Sequence, residues 1–344
     1  MGLFLPMGLA AASGRAIPKP SPCMLLSGIV KRGRVLRNLC CVRNYEAASK
    51  MADYRLHPSV VRYKTSTRAY WVPELGISVP PESHSLLRVL WQARALKRAG
   101  VSFYNDSGEI IAHTASFKVA VENEEELFIL REIVAQGVYN LFPSSPGVVV
   151  LDVGMNVGFA ALHFAAQPWI EAVWAYEPVP ATYARALQNL CRNPQLSSKI
   201  TAYNFGVGDQ QEDTTFEYSP LWRGASGVLG LAPEFRRYHR IARKDVSRVP
   251  VRLGSACEVV RDARAAYPNA RLVLKLDCEG CEYRIIAALQ RASLLREVDT
   301  FLIEWHTLGA SGLVQDLNAG GFDVLSLTAT ESRGMLYACR RPAT

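Results

Sequence analysis

From about Pro146 onward, short unbroken apolar runs alternate with stretches of helical periodicity. Val148–Leu151 is apolar and mostly β-branched, the pattern of a strand buried on both faces. Ala172–Tyr176, Ile200–Phe205, Arg271–Leu276 and Thr300–Trp305 read as further strands. Between them, Gly158–Gln167, Pro180–Arg192, Ser255–Tyr267, Glu282–Arg291 and Leu313–Ala319 read as helices. Phe322–Leu327 and Met335–Cys339 are two strands joined by a short polar turn, which predicts an antiparallel pair. Five strands separated by helices predict a doubly wound, mostly parallel α/β sheet, closed at its C-terminal end by that pair.

The upstream part is patterned differently. Val60–Pro81 reads as irregular, broken by Pro73, Pro80 and Pro81. Ser83 is a candidate cap for a helix from Ser85 to Ala99. Val101–Tyr104 and Ile110–His113 flank Asn105–Gly108 as a short hairpin. Glu124–Glu126 lead into Leu127, Leu130, Ile133 and Val134, an amphipathic helix with acids in its first turn, ending near Gly137. Asp213–Tyr218 suggests a surface hairpin, and Leu221–Pro250 reads as loop.

Charge divides the chain further. Of the net +8, the first 45 residues supply +7, from seven basic residues and no acid, so the remainder is near neutral. A folded part of that charge is a poor fit to a nucleic-acid backbone. Residues 1–60 are therefore expected to be a basic tail, either an organelle transit peptide or a disordered leader. Residues 61–145 are expected to form a small helical and hairpin extension, and 146–344 the main domain. No apolar run reaches membrane-helix length. The eight irregularly spaced cysteines read as reduced thiols of an intracellular protein, in the cytoplasm or an organelle.

Ligands of an open parallel sheet bind beyond the carboxyl ends of its strands. After the first strand stand Asp152, Gly154, Asn156 and Gly158: a glycine turn opening a helix whose amides face a ligand. Asn156 occupies the position where a dinucleotide fingerprint has its middle glycine, which favours a nucleoside without phosphates. Glu177, ending the second strand, is suited to both ribose hydroxyls; taken alone it is more often a solvated strand-end acid, and together with the first motif the ribose role is favoured. Gly208 and Asp209 end the third strand, where they either flank an adenine or make a simple turn. The fourth strand ends in Asp277-Cys278-Glu279-Gly280-Cys281-Glu282, and the fifth in Glu304-Trp305-His306. Several acids gathered at adjacent strand ends are costly unless they bind something. The Cys278-x-x-Cys281 pair suggests redox chemistry or zinc; with no second pair beside it, zinc is disfavoured and small buried residues are the plainer reading.

These motifs, with Tyr176-Glu177-Pro178 followed by Asn189, Lys275-Leu-Asp277-Cys-Glu279-Gly280-Cys-Glu282 and Ile303-Glu304-Trp-His306, resemble the FkbM-type methyltransferase family. The upstream Leu130-Arg131-Glu132 and Gly137-Val138-Tyr139 fit it as well, so the likeness runs from about Glu124 to Cys339. It implies a Rossmann-like seven-stranded methyltransferase sheet and S-adenosylmethionine as donor. It also implies O-methylation of a hydroxyl on a small molecule or sugar. In that reading Asp152, Gly154, Asn156, Gly158, Glu177, Gly208, Asp209 and Asp277 bind the donor, while His306, Glu279, Glu304 and Asp277 do the chemistry, with His306 or Glu279 as base. A divalent metal held by Asp277 and Glu304 would serve the same purpose, but nothing in the spacing indicates one. Two other classes remain: a nicotinamide-dependent oxidoreductase, disfavoured by the missing glycine, and a non-catalytic nucleoside-binding protein of the same fold. The basic segment Arg236–Lys244 reads either as a solvated loop or as a site for an acidic substrate.

Overall fold

The computed structural model describes residues 62–64, 68–141, 146–227, 230–231, 236, 241–330 and 332–342. The basic tail lies outside the described residues, as do residues 237–240 of the segment Arg236–Lys244. Among the described residues no helix is long and apolar enough to cross a membrane.

The main sheet has seven strands: β7 (Val148–Val153), β8 (Ile170–Tyr176), β9 (Ile200–Tyr203), β13 (Arg271–Leu276), β14 (Thr300–His306), β15 (Phe322–Thr330) and β16 (Arg333–Arg340). Their order is β15-β16-β14-β13-β7-β8-β9. The five strands from β14 to β9 pair in parallel, and β16 runs antiparallel to both of its neighbours. This is the Rossmann-like sheet expected from the sequence. Every residue of β7 is buried, because alternate side chains feed opposite layers. Val148 and Val150 face one cluster, Val149, Leu151 and Val153 the other.

Helices α3 (Phe159–Ala165) and α4 (Pro180–Cys191) contribute to the first layer, and α6 (Ala256–Ala266), α7 (Glu282–Arg291) and α8 (Ser311–Ala319) to the second; a short turn, α5 (Pro194–Ser197), precedes β9. The first layer also takes in the N-terminal extension. Its elements are α1 (Leu90–Arg98), α2 (Glu124–Arg131) and the three-stranded sheet of β4 (Ser102–Asp106), β5 (Glu109–His113) and β6 (Lys118–Val121). Leu96, Val119 and Leu130 share one apolar cluster with Val150 and Phe164. Buried Asn189 of α4 ties the parts together: its Oδ1 accepts from Ala120 N (3.0 Å) and its Nδ2 donates to Val157 O (2.9 Å).

The structure departs from the sequence reading in three places, and it adds a cap and a wider last turn to the expected helix after Glu124. The segment taken as irregular holds β1 (Arg62–Lys64), β2 (Ala69–Val72) and β3 (Ile77–Val79), a small sheet of its own. Ser83 does not cap a helix; it sits at non-helical angles inside a tight turn of helix, Pro81–Val89, that leads into α1. α2 is capped by Asn123, whose side chain accepts from Glu126 N, and it continues through a wider turn, Glu132–Gln136, to Gly137 at φ 69°. Finally, β11 (Glu212–Tyr218) is not a local hairpin. It pairs with β12 (Ser247–Ser255), which also pairs in parallel with β10 (Gly206–Gly208).

Candidate active site

Two adjoining clefts open at the carboxyl ends of β7, β8, β13 and β14. They measure about 740 and 520 Å3 including their open mouths, within the range of small-molecule sites. Gly154, Asn156, Gly224, Asp277 and Glu279 line both and make them one crevice.

The floor is set by a backbone crossing that only glycine permits. Gly154 has φ 82°, and a Cβ there would lie 1.8 Å from the Asp277 carbonyl oxygen. The turns after β7 and β13 therefore touch main chain to main chain. Lys275 fastens the same junction: its ammonium is 2.9 Å from Asp152 Oδ1 and 3.7 Å from Asp277 Oδ2, and it donates to Gly154 O at 2.6 Å. Burial opposes the charge on Lys275, but Asp152 and Asp277 outweigh it and raise its pKa. Burial also pushes the Asp152 carboxyl up; the 2.9 Å contact favours the charged pair. Asp152 is fully buried behind this lysine and does not line the crevice.

In the narrower cleft, Glu177 accepts from Val179 N (2.9 Å) through Oε1 and from Asn156 N (3.0 Å) through Oε2. Burial lifts its pKa to about 7 against those hydrogen bonds. Asn156 is held at φ 50°, and its Oδ1 is buried without a hydrogen-bond partner. Pro178, Gly206, Val207, Phe216 and Leu253 form an apolar slot beside Glu177. A Cβ on Gly206 would stand 2.6 Å from Leu253 and 3.1 Å from Pro178, so the slot's width depends on that glycine. Here the expectation for Gly208 and Asp209 is corrected. Neither lines the crevice, because β10 leaves the main sheet to pair with β12, and Asp209 is ion-paired with Arg284 at 2.6 Å. Gly158, at φ 86°, also lies off the crevice; it starts α3 where a Cβ would lie 3.5 Å from Ala186.

The wider cleft gathers Asp277, Glu279 and Glu304 with groups the sequence reading did not assign: Glu125, Phe128 and Glu132 from α2 and its extension, Tyr139, Trp222, Lys275 and Arg333. Tyr139 donates to Asp277 Oδ2 at 3.3 Å, and Arg333 lies 3.2 Å from Glu304. Burial raises Glu132 to about 8 and Glu279 to about 7, in each case against a nearby cation. Glu279 is held at φ 51°, a strained conformation for a residue with a side chain.

His306 sits behind Glu279. Fully buried Glu282 accepts from both its backbone N and its Nδ1, each at 2.9 Å, which turns Nε2 toward Glu279 (3.5 Å) and Glu304 (3.8 Å). Burial works against the imidazolium, yet Glu279, Glu282 and Glu304 outweigh it and raise the pKa to about 10. His306 is therefore charged at neutral pH, which corrects its expected role as a base. Asp277, Glu304 and His306 place ligand atoms within 4.8 Å of one another, as a metal would need. Their charges, however, are already matched by Lys275, Arg333 and the surrounding carboxylates, so the arrangement is a poor fit to a metal.

A strap, residues 219–227, lines the crevice through Trp222, Arg223, Gly224, Ala225 and Ser226. Arg223 reaches Glu122 and Glu126 at 2.6 Å each, and Glu125 accepts from Arg223 N and Gly224 N. A Cβ on Gly227 would fall 2.4 Å from Glu279 Cβ, so the strap packs directly on that residue.

Residues 152–318 match the model of the methyltransferase FkbM domain. The chain is 26% identical over 232 residues to methyltransferase sdnD of Sordaria araneosa, covering 60% of this chain and 85% of that protein. It is 23% identical over 234 residues to methyltransferase 1 of Beauveria bassiana, covering 62% and 83%. It also matches AMB antimetabolite synthetase AmbE of Pseudomonas aeruginosa, 27% identical over 236 residues; the match takes in 59% of this chain but 11% of AmbE. A solved structure of methyltransferase FkbM from Methylobacillus flagellatus is 16% identical with a TM-score of 0.39, over 62% of this chain and 50% of that one. The match to the methyltransferase FkbM domain thus runs from the end of β7 through most of α8.

Proposed function

We propose that the chain is an S-adenosylmethionine-dependent O-methyltransferase acting on a hydroxyl of a small molecule or sugar. The observation that carries this reading is the single crevice running from the Glu177 slot to the Glu279 cluster. A nucleoside suits the first end: an apolar slot for a flat base, a carboxylate with lone pairs left for ribose hydroxyls, and the unpartnered Asn156 Oδ1 waiting for a donor. When bound, S-adenosylmethionine supplies a methyl on a sulfonium, open to in-line displacement.

The protein's part is alignment and proton management. Asp152 acts through Lys275, which holds the glycine turn against the Asp277 turn. Glu279, at about 7, is the base that takes the hydroxyl proton. His306 stays charged beside it, keeping Glu279 from rising further and steadying the anionic form. The strap packs against Glu279 and fixes its place in the crevice. The wall from α2 and Arg333 lies on the acceptor side.

Calorimetry with S-adenosylmethionine and with NAD tests the donor assignment; preference for NAD would overturn it. Incubation of a metabolite extract with methyl-labelled donor then follows the label. Label on nitrogen or carbon, and none on oxygen, would sink the O-methylation part.

A further inference from the structure

The Cys278-x-x-Cys281 pair has no part in that scheme, yet both residues line the narrower cleft, Cys278 half-buried and Cys281 2% exposed. They stand at the first and fourth positions of a turn closed by Cys281 N donating to Cys278 O at 3.4 Å. The central residues, Glu279 and Gly280, both have left-handed angles, φ 51° and 108°. Such a turn brings its end Cα atoms within about 7 Å, and a disulfide spans about 4.4–6.8 Å. A side-chain hydrogen bond links the two thiols and favours the protonated form of Cys278. The Cys278 thiol in turn approaches Glu282 Oε2 at 3.5 Å, and the same oxygen accepts from Gly280 N at 2.8 Å.

We propose that Cys278 and Cys281 form a reversible disulfide that takes the crevice out of its donor-binding shape. The oxidant is a low-molecular-weight disulfide such as oxidised glutathione. Cys278, on the cleft side, loses its proton to solvent and attacks that disulfide, releasing one glutathione as a thiol. Cys281 then attacks the mixed disulfide, loses its proton and releases the second. Two electrons pass from the cysteine pair to glutathione; one S–S bond forms and one breaks. The contact with Cys281 and burial push the Cys278 thiol well up, so the exchange is slow at neutral pH. The new bond closes a ring around Glu279 and removes the thiol beside Glu282, the carboxylate that orients His306. The bond itself is independent of the methyltransferase reading; its effect on the donor rests on it.

The full-length protein is equilibrated in graded ratios of reduced to oxidised glutathione, alkylated, and digested with trypsin. The expected result is that the peptide Leu276–Arg284 loses two hydrogens, escapes alkylation, and recovers on reduction. Alkylation of both cysteines at every ratio, or a glutathione adduct alone, overturns the proposal. Calorimetry with S-adenosylmethionine should then give an affinity about tenfold weaker for the oxidised protein, the loss of one good contact. The Cys278→Ala variant should keep its own reduced affinity after the same treatment. Unchanged affinity on forming the disulfide, or an equal fall in Cys278→Ala, overturns the functional half. A reduced protein that binds no donor rejects the methyltransferase reading instead, while the peptide masses still decide the bond.

Discussion

Gly154→Ala is the sharpest test of the crevice's construction. The added methyl would lie 1.8 Å from the Asp277 carbonyl, where real contacts stay beyond 3.0 Å, so the two turns must part by about 1 Å. The left-handed angle at Gly154 costs a side-chain-bearing residue a further ~1–2 kcal/mol. With ~1–3 kcal/mol for overpacking, the expected destabilisation is about 2–5 kcal/mol, or a fall in melting temperature of roughly 5–15 °C. The damage should be concentrated at the site. Asp277 belongs to both clefts, and a displacement of about 1 Å at an aligned site costs on the order of 100-fold in turnover. Differential scanning fluorimetry reads the stability, and calorimetry with S-adenosylmethionine reads the site. A variant that melts like wild type and binds the donor equally well would show that the two turns are not in contact, and the crevice would have to be redrawn.

Glu177→Gln replaces one of the two accepting oxygens with an amide nitrogen and leaves Val179 N or Asn156 N unpaired; stability should fall by about 1–3 kcal/mol in urea unfolding and the donor affinity about tenfold by calorimetry. Lys275→Met leaves Asp152 fully buried without its cation and should cost about 3–5 kcal/mol in urea unfolding, much of it recovered in the Lys275→Met/Asp152→Asn double variant. With Glu279 at about 7, kcat/KM should rise roughly tenfold per pH unit below 7 and level off above it, and Glu279→Gln should abolish that limb together with most of the activity. His306 has a folded pKa of about 10 against an ordinary 6.5, so its stabilisation is fully present below about 6.5 and is lost as pH rises through 10; His306→Gln should flatten that part of the stability profile in urea melts.

The five parallel strands and the closing pair were readable because each is an unbroken apolar run between helical segments, and burial on both faces leaves that mark. β12 was not, for two reasons. Arg248 and Arg252 interrupt its apolar residues, and Pro250 argues against a sheet interior. The structure accommodates Pro250 because β10 pairs only from Leu253 onward, leaving that edge open where the proline lies. β1 to β3 are three or four residues long, too short for an alternation to register. At the site, glycines and strand-end acids announced Gly154, Glu177, Asp277, Glu279 and Glu304 in the crevice wall. Gly208 and Asp209 misled because a sequence does not say when a strand leaves its sheet. The charge of His306 depends on three carboxylates brought together by folding, and Glu132 and Arg333 reach the cleft from elements far apart in the chain.

The matched family segment ends before Arg333 and begins after Phe128 and Glu132, yet all three stand in the crevice wall. The narrower cleft, which the proposed function gives to the nucleoside, is thus encoded in one stretch, and much of the wider one by sequence on either side of it. Mutation can reshape that outer half without touching the residues of the narrower cleft. A change of clientele in this lineage would be written in α2 and β16, and grafting those two elements between relatives is the direct way to move it.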